Sequence, residues 1–197
     1  MTNQPSDLAL DERTALIVVD VQNDFADPDG SLYVDGGEDV IGVINPLVDA
    51  TVAAGGAVVY TQDWHPARTP HFRTDGGTWP PHCIAETWGA ELHPDLTVAG
   101  RTVRKGTGNE DGYSGFTARD VNTGTDVPTG LVDVLGDHGV DRVVVVGLAR
   151  DVCVRETALD ARRLGYDTTV VLDATRSVDP DDQDAIDTMR EAGARIV

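Results

Sequence analysis

The sequence predicts an α/β fold in which a mainly parallel sheet is covered on both faces by helices. Apolar runs rich in valine and isoleucine recur at residues 15–19, 57–62 and 142–147, the last with four consecutive valines, and such runs suit strands buried on both faces. Between the runs lie segments with apolar residues at helical spacing, as parallel strands require of their crossovers. The chain has 197 residues, which fits one domain of ordinary size, so 1–197 is read as a single domain without repeats or linkers.

The first strand, 15–19, ends at Asp20, and a helix should follow after a loop. Segment 38–54 places Val40, Ile41, Ile44, Leu47 and Val48 near helical spacing. Pro46 is expected to bend that helix or to restart it behind Asn45 as a cap, and Gly55 with Gly56 to close it. A strand at 57–62 leads into residues 63–100, a stretch with little periodicity that holds all three tryptophans and four of the five histidines. A loop that long inside a compact domain is usually functional. A short strand near 102–105, a helix around 130–138, the valine strand 142–147, a helix over 152–164, a strand 168–172, a helix 181–192 and a terminal strand complete the pattern. Gly193 reads as a helix stop.

Composition narrows the function. The formal net charge of −19 argues against nucleic acid, because a chain that repels phosphate gains no affinity from counterion release. No apolar run approaches the roughly 18 residues of a membrane span. Residues 1–10 show no basic cluster before an apolar stretch, and the two cysteines, Cys83 and Cys153, are too few for a disulfide framework, so a reducing cytoplasm is expected. Of the 15 basic residues only Lys105 is a lysine, and aspartate outnumbers glutamate. A salt-rich cytosol or a GC-rich genome would each produce that bias.

In an open α/β sheet, ligands gather beyond the carboxyl ends of the strands. The residues just past the expected strands are Asp20, Asp63 with His65, Lys105, and the turn 148–153. Cys153 stands where that turn enters a helix, and exposed N–H groups at a helix start favour a thiolate. It is a candidate nucleophile, although a lone cysteine is often a small buried apolar residue. Lys105 could serve as a cation beside the thiolate or a developing oxyanion, and Asp20 could accept the thiol proton and return it to a leaving amine. Elsewhere the chain meets its need for a cation with arginine, so a single lysine suggests a site where a planar guanidinium will not serve. Asp63, His65 and His82 could form a metal site with open positions, with His71 and Cys83 as weaker ligands. Loop histidines bonded to backbone would satisfy the same spacing. Phe25, Trp79 and Tyr113 could wall an aromatic pocket, although on the residues alone ordinary packing accounts for them.

The ordered segments VDVQNDF (19–25), QDWH (62–65), WPPHC (79–83), RKG (104–106), YSGF (113–116) and DVCV (151–154) resemble the nicotinamidase/pyrazinamidase family. That family lies within the isochorismatase-like cysteine hydrolases, and the match spans nearly the whole chain. The resemblance implies a three-layer α/β/α sandwich and hydrolysis of nicotinamide to nicotinate and ammonia for NAD salvage, with pyrazinamide as a further substrate. It implies a triad of Asp20, Lys105 and Cys153, and a divalent metal, zinc before iron or manganese, on Asp63, His65 and His82 with His71 as auxiliary. It also implies a ring pocket of Phe25, Trp79 and Tyr113, and an oxyanion hole from the N–H groups of Ala149 and Cys153, with a cis peptide before Ala149. The mechanism implied is attack by Cys153 to a thioester that water then hydrolyses. A homo-oligomer is compatible with the sequence.

Two positions depart from the family pattern: Arg150 replaces a small polar residue, and Val152 a frequent tyrosine or histidine. Residues 117–126 also read as a longer hairpin or loop than the pattern requires. These differences bear on substrate range rather than reaction type. The competing readings are another amidase of the superfamily acting on a carbamoyl or ureido substrate, or an isochorismatase, relatives that generally lack the full Asp63, His65, His82 set, and a non-catalytic binding domain, which would have lost part of the triad.

Overall fold

The computed structural model describes residues 8–197, so most of the segment read for a leader lies outside the described residues. Six strands form one parallel sheet: β1 (Thr14–Val19), β2 (Ala57–Asp63), β3 (Arg101–Lys105), β7 (Arg142–Leu148), β8 (Asp167–Arg176) and β9 (Arg195–Ile196). Their spatial order is β3-β2-β1-β7-β8-β9. The chain winds outward from β1 to β3, then returns to the other side of β1. The switch point therefore lies between β1 and β7, where a crevice opens beyond the strand ends.

Side-chain alternation along the strands builds the layers. Leu16, Val18, Val58, Tyr60, Val144 and Val146 face a core shared with helix α2 (Asp39–Ala53). Ala15, Ile17, Val19, Val59, Val143 and Val145 face the opposite core, shared with α3 (Leu131–Asp137), α4 (Arg155–Arg163) and α5 (Gln183–Glu191). Helix α2 buries Val40, Ile41, Ile44, Leu47 and Val48, each worth about 1.5–3 kcal/mol on full burial. None of the described helices is long and apolar enough to cross a membrane.

Local structure departs from the sequence expectation at three places. Pro46 sits inside α2 without dividing it, and Asn45 caps nothing: its amide donates to Asp95 O at 2.9 Å and accepts from Thr97 N at 2.8 Å, pinning the stretch that leads into β3. The helix expected from 152 begins as an α-helix only at Arg155, after a wide π-type turn over Arg150–Val154. β8 runs to Arg176, well past the expected end, because its register against β7 shifts between Val145 and Gly147 and brings Thr175 and Arg176 beside Gly147 and Leu148. The hairpin or loop read at 117–126 is a hairpin of β5 (Thr117–Asp120) and β6 (Asp126–Pro128), which joins β4 (Glu110–Asp111) in a small antiparallel sheet.

Gly147 permits the tight contact at the switch point. Its φ is +110°, and a Cβ there would lie 2.1 Å from Val19 O, so any other residue would push β7 away from β1. The short helix α1 (Asn23–Ala26) and the 3₁₀ turns Arg73–Asp75 and Trp88–Ala90 give the loops over the crevice their only helical structure among the described residues.

Candidate active site

Asp20, Lys105 and Cys153 converge in the crevice from the ends of β1, β3 and β7, and all three are buried. Asp20 leaves its strand at φ +49°, a left-handed turn that aspartate tolerates better than most residues. Thr61 Oγ1 donates to Asp20 Oδ1 at 2.7 Å. Asp20 Oδ2 stands 2.7 Å from Lys105 Nζ but at an angle that makes no hydrogen bond among the described residues. A carboxylate oxygen of Asp20 and the Cys153 sulfur lie within 4.8 Å of one another. Lys105 Nζ also reaches Asp63 Oδ1 at 2.5 Å, the Gly112 carbonyl, and Cys153 Sγ at 3.8 Å.

These contacts set the protonation states. Burial opposes the charge on Lys105, but the carboxylates of Asp20 and Asp63 outweigh it and hold the ammonium well above its ordinary pKa. Burial likewise opposes ionisation of Asp63, and Lys105 followed by His65 holds that carboxyl well below the usual range. For Asp20 burial wins over Lys105, with the Asp63 charge adding to it, and its pKa is pushed up to about 6. Burial pushes the Cys153 thiol well up against the pull of Lys105, with Asp20 and Asp63 raising it further. The thiolate expected at a helix start is thus a thiol at rest, because the sulfur lies in the buried π-type turn among carboxylates. At neutral pH an ionised Asp20 faces a protonated Cys153, the pairing that a general base and its nucleophile need.

Asp63, at the end of β2, links this group to a set of imidazoles. Its Oδ2 lies 3.7 Å from His65 Nε2 and 3.9 Å from His82 Nε2. Gln22 fixes its backbone on both sides, accepting from Asp63 N and donating to Asp63 O at 2.8 Å each. His65 Nδ1 meets Gly106 O at 2.9 Å, and His82 Nδ1 meets Pro80 O at 2.7 Å. A carbonyl only accepts, so both rings carry a proton on Nδ1, and Nε2 is the nitrogen each ring turns toward Asp63. Nε2 of His65 is fully buried without a partner among the described residues. Burial lowers the pKa of His82 to about 4 against the pull of Asp63, so that ring is neutral. His71, expected only as an auxiliary, stacks on His65 with ring centroids 4.6 Å apart, and one nitrogen from each of His65, His71 and His82 falls within 4.8 Å of the others. Gly106 makes room for this: a Cβ there would lie 2.3 Å from His65 Cε1.

Three positions here were not singled out from the sequence. Asp111, on β4, pairs with His71 Nδ1. Asp24 accepts from Cys83 N at 2.6 Å and Ser31 N at 2.9 Å, tying the first loop to the residue after His82. Thr61, on β2, holds Asp20. The Cys83 side chain lies by Gly89 O and is not in the imidazole set.

Phe25, Trp79 and Tyr113 line one cavity with Cys153, Asp63 and His82, whose empty space, open mouth included, is about 410 Å³. Trp79 Nε1 donates to Tyr113 Oη at 2.9 Å, and Phe25 tilts against His82 at 5.4 Å between centroids. Leu32, Val34, Val152 and Val178 complete an apolar wall. Ala149 also lines the cavity, and the Leu148–Ala149 peptide before it is cis.

An isochorismatase domain model matches residues 14–197. The chain is 42% identical to the nicotinamidase/pyrazinamidase of Mycobacterium tuberculosis over 93% of its own length and 97% of that protein. Among solved structures it resembles the pyrazinamidase of Pyrococcus horikoshii in complex with zinc, at 38% identity and a TM-score of 0.84 over 94% of this chain and 98% of the other. PnC1 from L. infantum in complex with nicotinate aligns at 36% identity and a TM-score of 0.87 over 96% and 95% of the two chains.

Proposed function

The chain belongs to the isochorismatase family, and from that premise we propose that it is a nicotinamidase, an amidohydrolase that converts nicotinamide to nicotinate and ammonia for NAD salvage and also accepts pyrazinamide. The observation that carries this reading is the meeting of a buried base, thiol and ammonium with three imidazoles and a carboxylate along one aromatic-walled cavity. The relatives named for nicotinamide and pyrazinamide chemistry support the substrate class.

In this reading Asp20 removes the proton from Cys153 Sγ, and the sulfur attacks the carboxamide carbon. The backbone N–H groups of Ala149 and Cys153 hold the oxyanion, with the charge of Lys105 close by. As the tetrahedral adduct collapses, Asp20 returns the proton to the amine, the C–N bond breaks and ammonia leaves, so a thioester to Cys153 remains. Water adds to that carbonyl as Asp20 accepts one of its protons, the C–S bond breaks as Asp20 passes that proton to the sulfur, and the free thiol is restored while nicotinic acid leaves and ionises to nicotinate. The ring lies between Phe25 and Trp79, with Tyr113 fixing Trp79 through its hydroxyl.

The imidazole set fits a divalent cation. An orphaned, buried His65 Nε2 beside the Asp63 carboxylate, whose pKa Lys105 holds down, is costly unless something binds there. His65, His82 and Asp63 would hold the ion with His71 as a further ligand, zinc being the first candidate and iron or manganese the alternatives for such an N/O donor set. When bound, the ion supplies a Lewis acid that can take a ring nitrogen or a water.

Ammonia release from nicotinamide by purified protein tests the reading, beside Cys153→Ala and a chelator-stripped sample. Release abolished by both controls supports it. Metal bound but no ammonia from nicotinamide or pyrazinamide overturns the substrate assignment.

A further inference from the structure

The segment that follows β8 contributes Val178 to the cavity wall. The register shift in β8 carries Thr175 and Arg176 to the strand end beside Leu148. Two residues on, Val178 lines the cavity together with Leu32 and Val34 while remaining 47% exposed. This segment is tied to the turn that carries Cys153. Arg150 Nε donates to Ser177 Oγ at 3.1 Å and pairs with the Asp182 carboxylate, and its Nη1 donates to Thr175 Oγ1 at 3.3 Å. Both oxygens of Asp151 accept backbone N–H groups, from Val178 at 3.0 Å and Asp179 at 2.9 Å. Ser177 Oγ closes the set by donating to Asp182.

We propose that Arg150 is a positioning residue for substrate specificity: by bracing residues 175–182 against the nucleophile turn, it fixes Val178 as a rigid apolar wall and limits the ring substituents the cavity admits. The inference rests on the reading that the cavity takes an aromatic carboxamide. A guanidinium offers several N–H donors in one plane and can serve three oxygens from Thr175, Ser177 and Asp182 together, which a small polar residue at this position could not. A substituted ring that meets Val178 must displace it, and with the brace in place the displacement also breaks the Arg150 contacts. Val152 lines the same cavity.

The test compares kcat and KM for nicotinamide and for ring-methylated and ring-phenylated nicotinamides in the wild type, Arg150→Thr, Arg150→Lys and Val178→Ala. Arg150→Thr and Val178→Ala should each reduce discrimination against the substituted rings by about tenfold, the scale on which an apolar pocket resolves small groups. In Arg150→Thr the change should fall on KM with little change in kcat, and Arg150→Lys should recover part of it. Discrimination left at the wild-type level, or a kcat that falls alike for all amides, overturns the proposal. A second readout needs no substrate: the rate of Cys153 alkylation by N-phenylmaleimide relative to iodoacetamide, followed by mass spectrometry of the Cys153 peptide, should rise in Arg150→Thr and Val178→Ala. If the wild type hydrolyses none of the amides, the nicotinamidase reading fails and the alkylation ratio alone decides the role of Arg150; an unchanged ratio refutes it.

Discussion

Replacing Thr61 by valine should move the pH at which the enzyme switches on. The hydroxyl donates to Asp20 Oδ1 at 2.7 Å inside the core, and the hydrogen bond favours the carboxylate, so its loss raises the Asp20 pKa. A hydrogen bond to a charged group is worth about 1.5–3 kcal/mol. Lys105 remains 2.7 Å away and supplies the larger share of the support, so the lower end applies, about one pK unit at 1.36 kcal/mol per unit. As the proposed base Asp20 works as a carboxylate, so activity should be present above its pKa, about 6, and be lost as pH falls through it. In Thr61→Val the acidic limb of kcat/KM should therefore stand near pH 7, and at pH 6 the ionised fraction falls from one half to about one tenth, roughly a fivefold loss. Valine keeps the shape, and Asp20 N retains Thr61 O as an acceptor at 3.3 Å, so the fold should hold. The assay is ammonia release across pH 5–9 for both proteins. An unmoved limb, or a loss equal at all pH values, would refute the assignment of that limb to Asp20.

Lys105→Met should leave Asp20 and Asp63 buried without their cation and cost about 3–5 kcal/mol by urea unfolding at pH 8. The deficit should shrink at pH 5, because ionising these carboxylates is then the unfavourable step; a deficit independent of pH would contradict this account. Gly106→Ala should drive a methyl group into the His65 ring and weaken zinc binding by about 10–100-fold, as loss of ligand support does elsewhere, measured by competition with a chromophoric chelator; unchanged affinity would show that His65 is not a ligand. A net charge of −19 repels itself, so molar KCl should raise the unfolding midpoint; a midpoint that falls with salt would remove the high-salt reading of the composition.

The parts of the molecule legible in the sequence are those governed by local pattern. Valine runs marked the central strands because a parallel sheet buries both faces, and strand ends marked Asp20, Asp63, Lys105 and Cys153 because parallel strands deliver their ends to one rim. Tertiary context set what was missed. Pro46 stays inside α2, a case where packing of a long apolar face overrides a local breaker. β8 extends past residue 172 only because β7 offers edges to Thr175 and Arg176 after a bulge, and no local periodicity encodes that. Asp111 could not be found by spacing, since its partner His71 lies 40 residues away. The protonation of Cys153 depends on burial and on two carboxylates from other strands, whereas the sequence offered only the helix start.

Lys105 and Asp63 explain each other's chemistry. Asp63 turns one oxygen to the ammonium and the other to His65 and His82, so one carboxylate joins the nucleophile half of the crevice to the imidazole half. Its negative charge is fixed by Lys105, and the charge of Lys105 is fixed in return by Asp63 and Asp20. Around Nζ the partners come from three separate segments, Asp20 after β1 as an ion pair, and Asp63 at the end of β2 and Gly112 before β5 as hydrogen-bond acceptors. A compact ammonium with three rotatable donors can satisfy acceptors arranged around a point, whereas a planar guanidinium presents its donors in a fork and needs them near one plane. The one lysine in a chain that otherwise uses arginine therefore stands where the geometry around a buried positive charge is three-dimensional, and arginine at this position would have to give up one of the two carboxylates it exists to hold.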